Sequence, residues 1–242
     1  MVPSPRVRAE IERGGDQRIP RPPDARPGAP APWHGLDPAR RRLGLADVLR
    51  GCERLPPPTR PETALPGSRP AAVLVALFEE AGEARLILTK RPDTMPTHQG
   101  EIAFPGGKLD ESVDADLAAA ALREAHEEIG LAPDAVEIVA ELDHLFTVQA
   151  RFTLAPFVGV LAGRPDLTPD EREVVRVFDV ALSELLDDDA FHQELWTIRA
   201  GVLDTPPGPD RPIDFYEIPG ETVWGATARI LTAFLTQLTR DR

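Results

Sequence analysis

The residue pattern predicts a mixed α/β domain with helices packed on the faces of a sheet, and three features carry that prediction. Residues 71–78 form a continuous apolar run, which suits a strand buried on both faces. One strongly periodic helix follows over residues 116–129. Strand-like stretches lie on both sides of that helix, the arrangement expected when helices cover a sheet.

In order along the chain, residues 37–55 read as helical. Asp37-Pro38 is the start signal, and Leu45, Val48 and Leu49 recur at 3 and 4 spacing. The run at 71–78 turns at Ala81-Gly82 into a second strand over 84–89, so a hairpin is expected. After the periodic helix, residues 136–142 and 153–160 read as strands, 180–186 as a short helix, 215–218 as a strand and 226–238 as a closing helix. No internal repeat is visible.

The first 70 residues hold 15 of the 27 prolines, and residues 18–32 are so rich in Pro, Arg and Ala that a packed core is not expected there. The predicted organisation is therefore a disordered tail over 1–36, a helix and linker over 37–69, and a folded domain over 70–242. A chain of 242 residues with 42% hydrophobic content is long enough for one sizeable core.

The net charge of -13 is unevenly placed. Residues 1–70 carry 13 Arg against 8 acids, whereas the rest carries 14 basic residues against 32 acids. An acidic body argues against a general nucleic-acid surface. It does not exclude a small anionic substrate, because bound metal inverts a local field. The tail arginines either touch an acidic partner or stand in solvent. Cys52 is the single cysteine, so no intrachain disulfide forms and a reducing compartment is expected. No run approaches the roughly 18 apolar residues of a membrane span, and the N-terminal stretch lacks a signal-peptide pattern. A cytoplasmic protein with no membrane partner is the expectation, with a homodimer left open.

The helix at 116–129 carries the chemistry. Ala118, Ala121, Leu122, Ala125 and Ile129 fall on one stripe that must face the core. Glu124, Glu127 and Glu128 stand at i, i+3 and i+4, on one arc beside the stripe. Like charges so placed repel unless a cation relieves them, and hard oxygen ligands at this spacing suit Mg²⁺ or Mn²⁺. A solvated acidic face with Arg123 as partner is the plain alternative. The flanks favour the metal. Upstream, Phe104-Pro105-Gly106-Gly107-Lys108-Leu109 has adjacent glycines that let backbone approach an ion. Downstream, Gly130 supplies a helix stop.

The string Gly107…Arg123-Glu124-Ala125-His126-Glu127-Glu128-Ile129-Gly130-Leu131 resembles the Nudix box. This resemblance implies a Nudix-fold α/β/α sandwich with a mixed sheet and a catalytic loop-helix-loop. It further implies hydrolysis of a nucleoside diphosphate-linked substrate, with Glu124, Glu127 and Glu128 as metal ligands, Gly106 contributing its backbone, and Arg123 orienting a glutamate. Gly107 to Arg123 spans two residues more than the usual box, so Asp110, Glu111 or Asp114 is left to fill the first acidic position from a lengthened loop. The general base in the superfamily is often a second-loop acid. Among Asp170, Glu171 and Glu173, Glu173 is the preferred candidate, although the start of a helix over 174–178 explains these acids equally well.

Leu88-Thr89-Lys90-Arg91 and residues 100–107 look like the extended motif of the coenzyme A pyrophosphatases in this superfamily, with Pro96 and Pro92 as departures. Residues 223–231 also resemble that group. The implied substrate is coenzyme A or its thioesters. ADP-ribose or another nucleoside diphosphate derivative is the alternative within enzymes, and a non-catalytic nucleotide-sensing module is the alternative outside them. Arg91, His98, Gly106 and Gly107 are the substrate-binding candidates. Arg91 grips a phosphate or sits in a surface salt bridge, and His98 contacts a phosphate or faces water. His126 points away from the glutamate arc. Trp224 stacks on a base or packs in the core.

Overall fold

The apolar run at residues 71–78 becomes the middle of the main sheet because it offers a packing surface to both faces. The computed structural model describes residues 13–60, 67–94, 99–147, 152–197, 210–240 and 242. In chain order its elements are β1 (Arg26–Pro27), α1 (Leu45–Glu53), β2 (Arg69–Glu80), β3 (Glu83–Lys90), β4 (Ile102–Ala103), β5 (Gly106–Lys108), α2 (Leu117–Ile129) and β6 (Val136–Glu141). There follow β7 (Leu145–Thr147), β8 (Phe152–Leu161), β9 (Arg176–Ala181), α3 (Leu182–Leu185), β10 (Phe191–Trp196), β11 (Arg211–Ile218), β12 (Glu221–Trp224) and α4 (Gly225–Thr239).

The main sheet runs β4-β3-β2-β8-β6, with β5 paired to β2, β7 to β8 and β9 to β3. β2 and β8 are parallel from Arg69↔Phe152 to Leu77↔Val160, and the other described pairings are antiparallel. The sheet is therefore mixed. Its two faces follow the period-2 alternation of β2. Ala72, Leu74, Ala76 and Phe78 pack on Ala120, Ala121, Ala125 and Ile129 of α2. Val75 and Leu77 face the other way, onto a core with Val48 of α1 and Leu231, Phe234 and Leu235 of α4. This is the expected α/β/α layering. The Ala81-Gly82 turn closes the β2–β3 hairpin as predicted, with both residues at positive φ, the twist that a two-residue hairpin needs. Asp116 caps α2, its carboxylate accepting the Ala119 N–H at 2.8 Å.

A second sheet, β1-β10-β11-β12, is antiparallel throughout. Of it the sequence predicts only residues 215–218. β10 reads Phe-His-Gln-Glu-Leu-Trp and β12 has four residues, so neither offers a long alternating run.

Four expectations are corrected. Residues 1–12 lie outside the described residues, but from Arg13 the expected disordered tail is packed. β1 pairs with β10, the Gly28 N–H reaches the Gln193 carbonyl at 2.7 Å, and Ala31 and Trp33 enter the core. Proline-rich chain needs no helix or central strand to pack, because an extended edge tolerates a missing N–H. Trp33, 3% exposed, sits 5.5 Å from Phe191 edge to face and stacks at 6.3 Å on Tyr216. Second, the helix expected over 37–55 is split. A single turn at Pro38–Arg40 capped by Asp37 is followed by α1, which restarts where Asp47 accepts the Gly44 N–H at 3.0 Å. Third, residues 180–181 end a strand and only Leu182–Leu185 is helical. Fourth, residues 174–178 begin no helix. Val177 and Phe178 are strand formers that pair with β3, so helix-start charge does not account for the acids before them.

Candidate active site

The site forms where β5 crosses the glutamate helix. Gly106 pairs with Val73 and Gly107 with Ala72. Gly106 has φ +152°, and a Cβ there would lie 2.3 Å from the Ala72 carbonyl oxygen, so no larger residue fits the crossing. Its N–H donates to Glu128 Oε2 at 3.0 Å. At Gly107 a Cβ would lie 2.2 Å from Glu124 Oε2, so the space a side chain would take is filled by the Glu124 carboxylate.

The three glutamates share one arc of α2 but not one environment. Glu128 follows Ala121 and Ala125 around to the core side of α2 and is 4% exposed. Burial pushes its carboxyl up to about 7, against the opposing pull of the Gly106 N–H and Arg91. Glu124 is half-buried, and burial raises its pKa too, opposed by Arg123. Glu127 is exposed, as is His126. Among the described residues no three His, Cys, Asp or Glu side chains already stand around a common point that would enclose a metal ion. Arg123 bridges two of the glutamates, its Nη1 lying 3.0 Å from Glu124 Oε1 and 2.8 Å from Glu127 Oε2.

Arg123 is itself held by Asp114. Nε donates to Oδ1 at 2.8 Å and Nη2 to Oδ2 at 3.0 Å, a two-pronged pair, while Nη2 also reaches the Lys108 carbonyl at 3.1 Å. The lengthened loop therefore supplies Asp114 to the box arginine. Asp110 is engaged within the loop by Ser112, and its N–H steadies Asp114 Oδ2 at 2.8 Å.

The acidic loop at 168–173 is tied to the end of α2. The Thr168 N–H donates to the Ile129 carbonyl and the Asp170 N–H to the Glu128 carbonyl, both at 2.9 Å. Glu173 is exposed, and its charge helps to raise the pKa of both Glu124 and Glu128. Asp170 is held down to about 2 by hydrogen bonds from Arg172. Arg91 follows β3, with Nη1 3.9 Å from Glu128 Oε1. Its Nε is buried and, among the described residues, meets no acceptor. Among the described residues the carboxylate beside Arg91 is that of buried Glu128 rather than a surface acid. His98 lies outside the described residues. Trp224 is half-buried at the start of α4, 6.1 Å from Trp196.

A family profile for the NUDIX domain matches residues 68–202. The chain belongs to the Nudix family. It is 39% identical over 168 residues to Nudix hydrolase 22, chloroplastic, of Arabidopsis thaliana, a match covering 66% of this chain and 52% of that protein. It is 35% identical over 198 residues to the uncharacterized Nudix hydrolase NudL of Salmonella paratyphi B, covering 81% and 96%. The chain spans 63% of the NudL protein of Enterobacter sp. at 45% identity. A MutT/nudix family protein of Enterococcus faecalis aligns with a TM-score of 0.42 at 15% identity, over 80% of this chain and 69% of that one.

Nudix hydrolases generally use divalent metal ions. The residues of this Nudix chain fit such an ion: two carboxylates burdened by burial and mutual repulsion lie against a glycine turn whose backbone is within hydrogen-bonding reach of one of them. Among the described residues no helix is long and apolar enough to cross a membrane.

Proposed function

We propose that this chain hydrolyses the diphosphate of a nucleoside diphosphate-linked substrate, and that coenzyme A or its thioesters are preferred. Coenzyme A and water would give 3',5'-ADP and 4'-phosphopantetheine. The hydrolase reading is carried by half-buried Glu124 and buried Glu128, which lie against Gly107 and Gly106 of β5. The substrate reading is supported by residues 88–91, 100–107 and 223–231, which resemble the coenzyme A group.

In this reading Glu124, Glu127, Glu128 and the Gly106 backbone hold Mg²⁺ or Mn²⁺. A bound divalent cation supplies Lewis acidity toward the diphosphate and its attacking water. Arg123, fixed by Asp114, keeps Glu124 and Glu127 in place. Arg91, whose Nε meets no acceptor among the described residues, offers its guanidinium to a substrate phosphate. Glu173, carried in beside the glutamates by its loop, accepts the proton of the water. Positioning and fixed charge supply most of the acceleration. A cytoplasmic setting fits Cys52, whose thiol burial pushes up to about 11 and away from disulfide chemistry.

The test is a comparison of kcat/KM for coenzyme A, dephospho-coenzyme A and ADP-ribose with Mg²⁺ or Mn²⁺. Coenzyme A should lead, and Arg91→Ala should lower its kcat/KM about ten- to hundredfold. A tenfold or greater preference for ADP-ribose would overturn the coenzyme A reading. Tight nucleotide binding with no turnover would favour the sensing module instead.

A further inference from the structure

Glu221 opens β12 and is a buried carboxylate with a full set of donors. It is 3% exposed. Lys90 Nζ lies 3.1 Å from one of its oxygens and Arg176 Nη2 lies 3.0 Å from the other. Gln17 Nε2 donates to the same carboxylate, while Gln17 Oε1 accepts the Thr222 N–H at 3.1 Å. One amide of the N-terminal segment thus grips both the Glu221 side chain and the β12 backbone.

Lys90 and Arg176 are partners in the β3–β9 ladder, so Glu221 ties the second sheet to the end of β3. β12 also packs on β4, which leads into the glycine turn of the site. Along β3 the side chains alternate between faces. Leu86 and Leu88 belong to the core that includes α1 and α4, and Ile87 belongs to the α2 core. Lys90 continues the first face, and Arg91 emerges on the second, beside Glu128. Arg91 has little of its own to hold it. Its backbone N–H donates to the Glu101 carbonyl at 3.0 Å, but its Nε is unpartnered among the described residues. The anchored neighbour is Lys90.

We propose that Glu221 is a positioning residue for Arg91, acting through Lys90, and that Gln17 makes residues 13–17 part of the working site by holding Glu221. The inference rests on the reading that Arg91 contacts a substrate phosphate.

A double-mutant cycle on the full chain tests it, using the nucleoside diphosphate-linked substrate that the wild type turns over best. Glu221→Gln preserves shape and removes the charge that holds Lys90. It should raise KM about three- to tenfold and leave kcat within about twofold. In an Arg91→Ala background the same substitution should change KM by less than about twofold, because the residue it positions is gone. Gln17→Ala should repeat the pattern at smaller size, and it serves in place of Glu221→Gln if that variant does not fold. Equal losses in both backgrounds, or a loss in kcat alone, overturn the proposal, since Glu221 would then act through general stability. If Arg91→Ala by itself leaves kcat/KM unchanged, the reading of Arg91 is what fails, and the positioning role falls with it.

Discussion

Glu128 and Glu221 are buried almost equally, at 4% and 3% exposed, yet they stand in opposite situations. Glu221 is met by an ammonium, a guanidinium and an amide. Glu128 receives one backbone N–H at 3.0 Å and a guanidinium no nearer than 3.9 Å. Burying a charge is costly unless donors replace the lost water. The carboxylate with its donors complete fastens two sheets together, and the one left short is the one proposed to hold a cation. The region around β10–β12 and the N-terminal segment holds its buried charge with paired donors, whereas the region around α2 leaves its buried charge short of them.

The contrast is tested most severely on the holding side. Trp33→Ala should destabilise the protein by about 3–5 kcal/mol, because it empties a site between Phe191 and Tyr216. Denaturant unfolding measures this, and a loss below about 1 kcal/mol would mean that the N-terminal segment does not share the cooperative core.

On the other side, Glu128→Gln should lower turnover about a hundredfold, roughly 2.7 kcal/mol of barrier, by removing a ligand charge. The same substitution should leave the melting temperature of the metal-free protein unchanged or higher, since an amide carries no buried charge. Wild-type turnover at saturating Mg²⁺ or Mn²⁺ would rule out Glu128 as a ligand.

The smallest effect is one of pH. Folding raises the Glu128 pKa to about 7, so the folded metal-free protein holds a proton that the unfolded chain releases in the ordinary carboxylate range. Its contribution to stability is present in full below that range and is lost as pH rises through about 7. The urea midpoint of metal-free protein should therefore fall between about pH 5 and pH 7 from this group, and Glu128→Gln should remove that share of the slope. A slope unaltered by Glu128→Gln would show that other groups set it.

What could be read from the sequence was what is local. The stripe, the glutamate run and the Gly130 stop of α2 lie close together along the chain, and the β2–β3 hairpin needs a two-residue turn. Their periodicity states them directly. The spacing puts Glu128 on the side of Ala121 and Ala125, but that the Gly106 N–H meets it there depends on where β5 crosses the helix, which no spacing records. Asp114, Asp110 and Glu111 look alike as letters, and only the path of the loop selects Asp114 for Arg123. β10 and β12 are short, and the packed stretch from Arg13 takes its order from partners far along the chain. Composition misreads that stretch as disordered because prolines are counted without sight of the edge they lie on.

That distance imposes a timetable. A chain made from its N-terminal side releases Gln17 204 residues before Glu221, and at about 5–20 residues per second the interval is roughly ten to forty seconds. β2 through β9 can pair in the meantime, whereas Arg26 and Trp33 must wait for β10 and β11. During that wait a proline-rich, extended segment is exposed to every unpaired strand edge around it. Pro20, Pro22, Pro23, Pro27, Pro30 and Pro32 have no backbone N–H to offer such an edge, so the segment stays unattached until its own partners emerge.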